Sequence, residues 1–125
     1  MSDHILLEGL RFYAYHGVNP EERTQGQRFV LDVTLDADLC SAGQTDDLAR
    51  TISYSAVFKR VKAIVEGEPK ALIEALAEAI AADLLKTYAA ASAVTVTVRK
   101  PEVAIKGSFL DAAGVRIRRE REHPA

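Results

Sequence analysis

From Arg28 to Leu39 apolar residues fall on every second position: Phe29, Leu31, Val33, Leu35, Ala37 and Leu39 alternate with Arg28, Val30, Asp32, Thr34, Asp36 and Asp38. Side chains of a strand point alternately to its two faces, so this pattern predicts one long strand with an apolar and a mostly polar side. Upstream, Ile5 and Leu7 keep one phase while Leu10, Phe12 and Ala14 keep the other, which predicts a strand that passes through a bulge near Gly9. The segment from His16 to Gln27, punctuated by Asn19-Pro20 and Gly26, is long for a hairpin loop, and long loops in compact domains are often functional.

Past a linker from Ser41 to Asp47 the apolar spacing becomes helical. Ser53 or Ser55 can cap a helix with Val57, Val61, Ile64 and Val65 on one face, ended by Gly67 and Pro69. A second helix, Ala71 to about Tyr88, carries Leu72, Leu76, Ile80 and Leu84, and its alanines favour the helical state. Val94, Val96 and Val98 then mark a third strand, and Val115 and Ile117 a fourth. The order strand-strand-helix-helix-strand-strand predicts an α+β fold: a four-stranded, mostly antiparallel sheet with both helices on one face and a polar opposite face. Long unpaired edges need cover, and joining sheets from several copies into a closed ring of strands would provide it, so a cyclic homo-oligomer is expected.

A chain of 125 residues suits one domain, read here as 1–125, and 48% apolar against 27% charged residues is ordinary for a folded globular protein. The net charge of -2, with basic residues dispersed except for Arg116, Arg118, Arg119 and Arg121, leaves no electrostatic footprint for nucleic acid. The single Cys40 allows no intrachain disulfide and is expected to be a small buried or neutral cysteine in a reducing compartment. Met1-Ser2-Asp3-His4 has no basic start leading into an apolar run, and no stretch approaches the ~20 apolar residues of a membrane span. A cytoplasmic location is therefore expected by default.

His4, His16 and His123 are too widely separated to suggest a catalytic metal, and Gly9 and Gly17 lack the spacing of a phosphate loop. His16 beside Gly17 could touch a ligand, or more simply be a turn histidine bonded to nearby backbone. Lys100 keeps the phase of Val94, Val96 and Val98, the side that composition assigns to the core. With Pro101 next, it is either a strand-end lysine reaching out to water or an amine held in a cleft, where desolvation lowers its pKa and makes it a general acid/base. Glu21 and Glu22 lie in the long loop, where carboxylates are usually solvated. Glu74 falls within an evenly spaced set with Lys70 and Glu78 that suits an exposed helical stripe, or it could hold the amidine-like edge of a heterocycle through paired hydrogen bonds. Tyr54 is a packing residue or a ring that stacks on a flat ligand.

Taken together, Gly9-Leu10-Arg11-Phe12-Tyr13-Ala14-Tyr15-His16-Gly17, Gly26-Gln27-Arg28-Phe29, Thr45-Asp46-Asp47, Ser53-Tyr54, Ala71-Leu72-Ile73-Glu74 and Arg99-Lys100-Pro101 resemble the dihydroneopterin aldolase family of folate biosynthesis, in order over nearly the whole chain. The resemblance implies a tunnelling fold, in which four subunits close a strand barrel and two rings stack as an octamer. It implies that Glu74 anchors a pterin ring with the backbone of Ile73, and that Tyr54 from a neighbouring subunit covers it, with Ile52 and Ser53 also at the substrate. Glu22 and Lys100 would be the acid/base pair, with Tyr54 also implicated in proton transfer and Glu21 the competing loop carboxylate. The implied reaction is retro-aldol cleavage of 7,8-dihydroneopterin, for which the ring imine is the electron sink and no Schiff base, metal or added cofactor is needed. The run Ala104-Ile105-Lys106-Gly107 departs from the Pro-Ile-Pro-Gly-like run of many relatives, and Gly107 to Val115 is slightly longer. Two rival readings are an epimerase that re-forms the same bond with the aldehyde turned over, and a non-catalytic module that binds a small heterocycle.

Overall fold

The computed structural model describes residues 3–103 and 105–121; Met1, Ser2, Ala104 and His123 lie outside the described residues. Four strands, β1 (Asp3–Ala14), β2 (Gln27–Ala37), β3 (Ala93–Lys100) and β4 (Ala113–Glu120), form one antiparallel sheet in the order β1-β2-β3-β4. A short helix, α1 (Pro20–Gln25), joins β1 to β2, and between β2 and β3 run a second short one, α2 (Cys40–Thr45), and two long ones, α3 (Tyr54–Val65) and α4 (Ile73–Thr87). No helix among the described residues is long and apolar enough to cross a membrane.

The alternating phase of β2 is the organising feature. Phe29, Leu31, Val33 and Leu35 are fully buried against Val57, Val61 and Val65 of α3 and Leu76, Ile80 and Leu84 of α4, with Val94, Val96 and Val98 continuing the layer. The opposite face is a polar lattice: Arg99 Nη1 donates to Asp32 (2.7 Å), Arg118 Nη2 to Asp36 (2.6 Å) and Arg116 Nε to Thr97 (2.9 Å). The bulge predicted at Gly9 is present as a register shift between Leu7 and Leu10. Gly9 takes a left-handed φ of 68° there, which glycine adopts without steric cost, and its N–H donates to Asp32 (2.8 Å).

Several boundaries differ from the sequence expectation for local reasons. β2 stops at Ala37 rather than Leu39 because Asp38 turns its carboxylate onto the Cys40 N–H (2.9 Å) and starts α2. The supposed linker Ser41 to Asp47 is therefore mostly helix, followed by a 3-10 turn at Leu48–Arg50. Cys40, expected to be buried or neutral, is exposed at the first position of α2. Ser53 rather than Ser55 caps α3, its Oγ accepting from the Ala56 N–H (3.3 Å). Leu72 precedes α4 and is half-exposed, whereas Leu76, Ile80 and Leu84 are buried. At the other end of α4, the Arg121 guanidinium donates to the carbonyls of Leu85, Tyr88 and Ala91 (2.6–3.1 Å), closing groups that the helix itself leaves open.

These connections decide which loops share an end of the molecule. The short link from α4 to β3 turns the chain back, so the first turn of α4 lies at the Lys100 end of β3. α3 starts at the opposite end, beside the first residues of β1, and finishes near His16.

Candidate active site

The segment after β1 is more ordered than a turn-rich loop. Asn19 and Pro20 open α1, proline being suited to a first helical position because it has no N–H to leave unpaired. This turn fixes Glu22. The Glu22 carboxylate accepts from Lys100 Nζ (2.7 Å), from Gln27 Nε2 (2.5 Å) and from the Asn19 N–H (3.2 Å). Its back lies on Gly17, whose φ of 153° and lack of a Cβ leave the space that Glu22 fills.

Lys100 does not reach out to water. Its side chain is 14% exposed and that of Glu22 11%, so the ion pair is largely shielded at the mouth of the core. Burial alone would raise the Glu22 carboxyl, but the hydrogen bonds from Lys100, Gln27 and Asn19, together with the Lys100 charge, outweigh it and hold the group below the usual carboxylate range. Glu21 points elsewhere: it is exposed and shares with Glu22 only a shallow hollow of about 210 Å³.

His16 is fully buried rather than a ligand contact at a turn. The backbone it bonds is close in space but far along the chain. Its Nδ1 accepts from the Lys70 N–H (2.9 Å), so the neutral ring carries its proton on Nε2, which donates to the Val65 carbonyl (2.7 Å). Gly17 N–H also donates to the Lys70 carbonyl (2.9 Å), which ties the Glu22 loop to the segment leading into α4. Ile73 and Glu74 follow in the first turn of α4, Glu74 exposed and Ile73 half-buried. The stripe expected of Lys70, Glu74 and Glu78 does not form: Lys70 precedes the helix, and Glu78 pairs with Arg119 of β4.

Ile52, Ser53 and Tyr54 are together, but elsewhere. Along with His4, Ile5 and Leu39 they line a cleft of about 600 Å³, from which Tyr54 projects 69% exposed. His4 pairs with Asp36 while Arg99 pairs with Val30, and at roughly 3.3 Å per residue those β2 positions are about 20 Å apart. One chain therefore gathers Lys100, Glu22 and the start of α4 at one end and the Tyr54 cleft at the other.

Gln27 is the residue that motif reading left without a role. It begins β2 in the phase of Phe29 and Leu31, a polar side chain on the apolar face, and it spans the His16 carbonyl (3.4 Å) and Glu22. The anomaly that singled out Lys100 on β3 would have found it. Among the described residues no group of three His, Cys, Asp or Glu side chains is placed to hold a metal ion.

The family model described as FolB, dihydroneopterin aldolase, matches residues 5–118. This chain belongs to the dihydroneopterin aldolase family. It is 47% identical to the dihydroneopterin aldolase of Bacillus subtilis over 89% of this chain and 92% of that protein. The crystal structure of Escherichia coli dihydroneopterin aldolase in complex with neopterin superposes with a TM-score of 0.85 at 31% identity, covering 94% of this chain and 98% of that one. A dihydroneopterin aldolase from Burkholderia thailandensis bound to guanine gives 0.78 at 29% identity, over 97% and 93% of the two chains. The fold and the lyase class expected from the motifs thus agree with family, relatives and solved structures.

Proposed function

We propose that Lys100 and Glu22 carry out the proton transfers of 7,8-dihydroneopterin cleavage to 6-hydroxymethyl-7,8-dihydropterin and glycolaldehyde, in a site that two copies of the chain complete. The observation that carries this is the shielded Lys100–Glu22 pair at the end of β3. The reaction removes a proton from a side-chain hydroxyl, and the adjoining carbon–carbon bond breaks to release the aldehyde. The freed electron pair moves into the ring imine, whose nitrogen takes up a proton. A proton then returns to the carbon left on the ring and the nitrogen gives its own back, so only a bond to carbon has been exchanged. An ammonium whose position is fixed by a carboxylate is suited to donate at the ring nitrogen, and a water can relay the remaining protons.

Glu74 is assigned to the amidine-like edge of the pterin, where a carboxylate accepts two parallel hydrogen bonds, with the Ile73 backbone beside it. The neopterin and guanine held by the two structural relatives share such an edge, which supports this class of ligand. Ile52, Ser53 and Tyr54 sit at the wrong end to reach Lys100 of their own chain, and both sheet edges, β1 and β4, have no strand partner among the described residues. A ring of copies joined edge to edge accounts for both facts, and Tyr54 from a second copy then covers the pterin.

Purified protein given 7,8-dihydroneopterin is expected to release glycolaldehyde and the hydroxymethyl product in equal amounts; a monapterin-type isomer alone would favour the epimerase. Lys100→Ala and Tyr54→Ala chains, each impaired, are expected to recover activity when refolded together, because some sites then combine two intact halves. Absence of recovery would count against a shared site.

A further inference from the structure

His16 is a fully buried titratable group that the proposed chemistry does not use, and both of its ring nitrogens bond to backbone far along the chain. Its ring joins the end of α3 at Val65 to the approach to α4 at Lys70, and it packs edge-to-face with the Phe29 ring, centroids 5.4 Å apart. Its own carbonyl receives Gln27, which also holds Glu22. A continuous chain of contacts thus runs Lys100, Glu22, Gln27, His16, Lys70, and on into the first turn of α4. We infer that His16 is a positioning residue that sets the Glu22–Lys100 pair relative to Glu74, chiefly through its Nδ1 acceptor on the Lys70 N–H. The inference rests on the roles proposed above for Lys100, Glu22 and Glu74.

The physical logic is geometric. Acid/base transfer needs the reacting atoms within hydrogen-bond reach, and a displacement of ~1 Å costs on the order of a hundredfold in rate. Glu22 and Glu74 lie on separate elements, a loop helix and a long helix, so their spacing has to be set by whatever bridges them. His16 does this with a rigid planar ring, whose two nitrogens are fixed in opposite directions by one backbone donor and one backbone acceptor.

The bridge works only with a neutral ring, because protonation turns the Nδ1 acceptor into a donor that faces the Lys70 N–H. The charged groups around it are Lys70 before α4, Arg23 from α1 and Lys100 from β3, with the Glu22 carboxylate against Gly17; α3 and β2 contribute the Val65 carbonyl and the Phe29 ring. Burial first, then those three cations, hold the imidazole below its ordinary value of 6.5 despite the opposing bond to Val65. Between the lowered value and 6.5 the unfolded chain binds the extra proton, so this contribution to stability is complete above 6.5 and is lost as the pH falls.

The two nitrogens can be separated by substitution. The Oδ1 of Asn falls roughly where Nδ1 lies and can still accept from Lys70; the Nε2 of Gln falls roughly where the ring Nε2 lies and can still donate to Val65. His16→Gln is expected to lower kcat/KM by about tenfold to a hundredfold, with kcat down and KM up together, while His16→Asn recovers most of that loss. Equal losses in the two variants, at matched thermal midpoints, would overturn the inference. Lys100→Ala and Glu74→Ala run alongside separate the two levels: if they leave turnover and neopterin binding intact, the underlying reading fails. If they behave as assigned and the two His16 variants match, only the positioning role fails. Should His16→Gln not fold, the wild-type protein decides the matter: neopterin affinity should weaken on acidification with the midpoint shown by the His16 Cε1–H resonance. Affinity that stays flat while that resonance titrates would overturn the inference.

Discussion

Lys100→Ala is expected to lower kcat by about 100- to 10,000-fold, the usual contribution of positioned acid/base catalysis, while neopterin affinity changes only a few-fold. Steady-state turnover of 7,8-dihydroneopterin and calorimetric titration with neopterin would check the two halves of this statement. The reasoning is that Lys100 sits at the end of β3 with its ammonium on Glu22, where it can deliver protons, whereas ring recognition is assigned to Glu74 on a different element. Removing the ammonium also removes the first of the hydrogen bonds that keep Glu22 low, so its carboxyl should titrate at higher pH in the variant. Glu74→Ala should give the converse split. Hydrogen bonds to a charged group are worth ~1.5–3 kcal/mol, so neopterin binding should weaken by about tenfold to a hundredfold with a smaller effect on kcat.

Phe29→Ala is expected to destabilise the fold by about 3–5 kcal/mol, a large share of the ~5–15 kcal/mol that holds a domain of ordinary stability. Phe29 is fully buried and its ring packs edge-to-face with that of His16, so the variant leaves a cavity in the layer between sheet and helices and loosens the bridge to Lys70. Urea denaturation at matched protein concentrations is the appropriate measurement, since association between copies would make the midpoint concentration-dependent. A cost below ~1 kcal/mol would mean that the neighbouring valines and leucines close over the gap.

The elements of the sheet were legible because strand periodicity is strict. Phe29 to Ala37 and Val94 to Val98 face α3 and α4 as their phase demands, and the phase change between Leu7 and Leu10 marked the bulge. Lys100 stood out by the same rule, as a charge where a valine was due. Short helices were not legible: α1 and α2 each have six residues, too few for a periodic signal, and depend on the local turn that Asp38 makes onto the Cys40 N–H and on the proline start at Pro20. The choice of Glu22 over Glu21 as the residue that meets Lys100 depends on the helical turn that Asn19 and Pro20 begin, and adjacent carboxylates look alike without it. For His16 the sequence suggested bonds to backbone but not to which segments. Its partners, Val65 and Lys70, offer only backbone atoms, and backbone leaves no mark in a sequence.

The placement of the Tyr54 cleft and of Lys100 at opposite ends of the sheet has a kinetic consequence. On the shared-site reading, a solitary chain carries two incomplete halves facing away from each other, and neither can turn over substrate alone. Turnover per chain would then fall on dilution and rise with expression level more steeply than in proportion, so that newly made protein stays silent until it meets its copies.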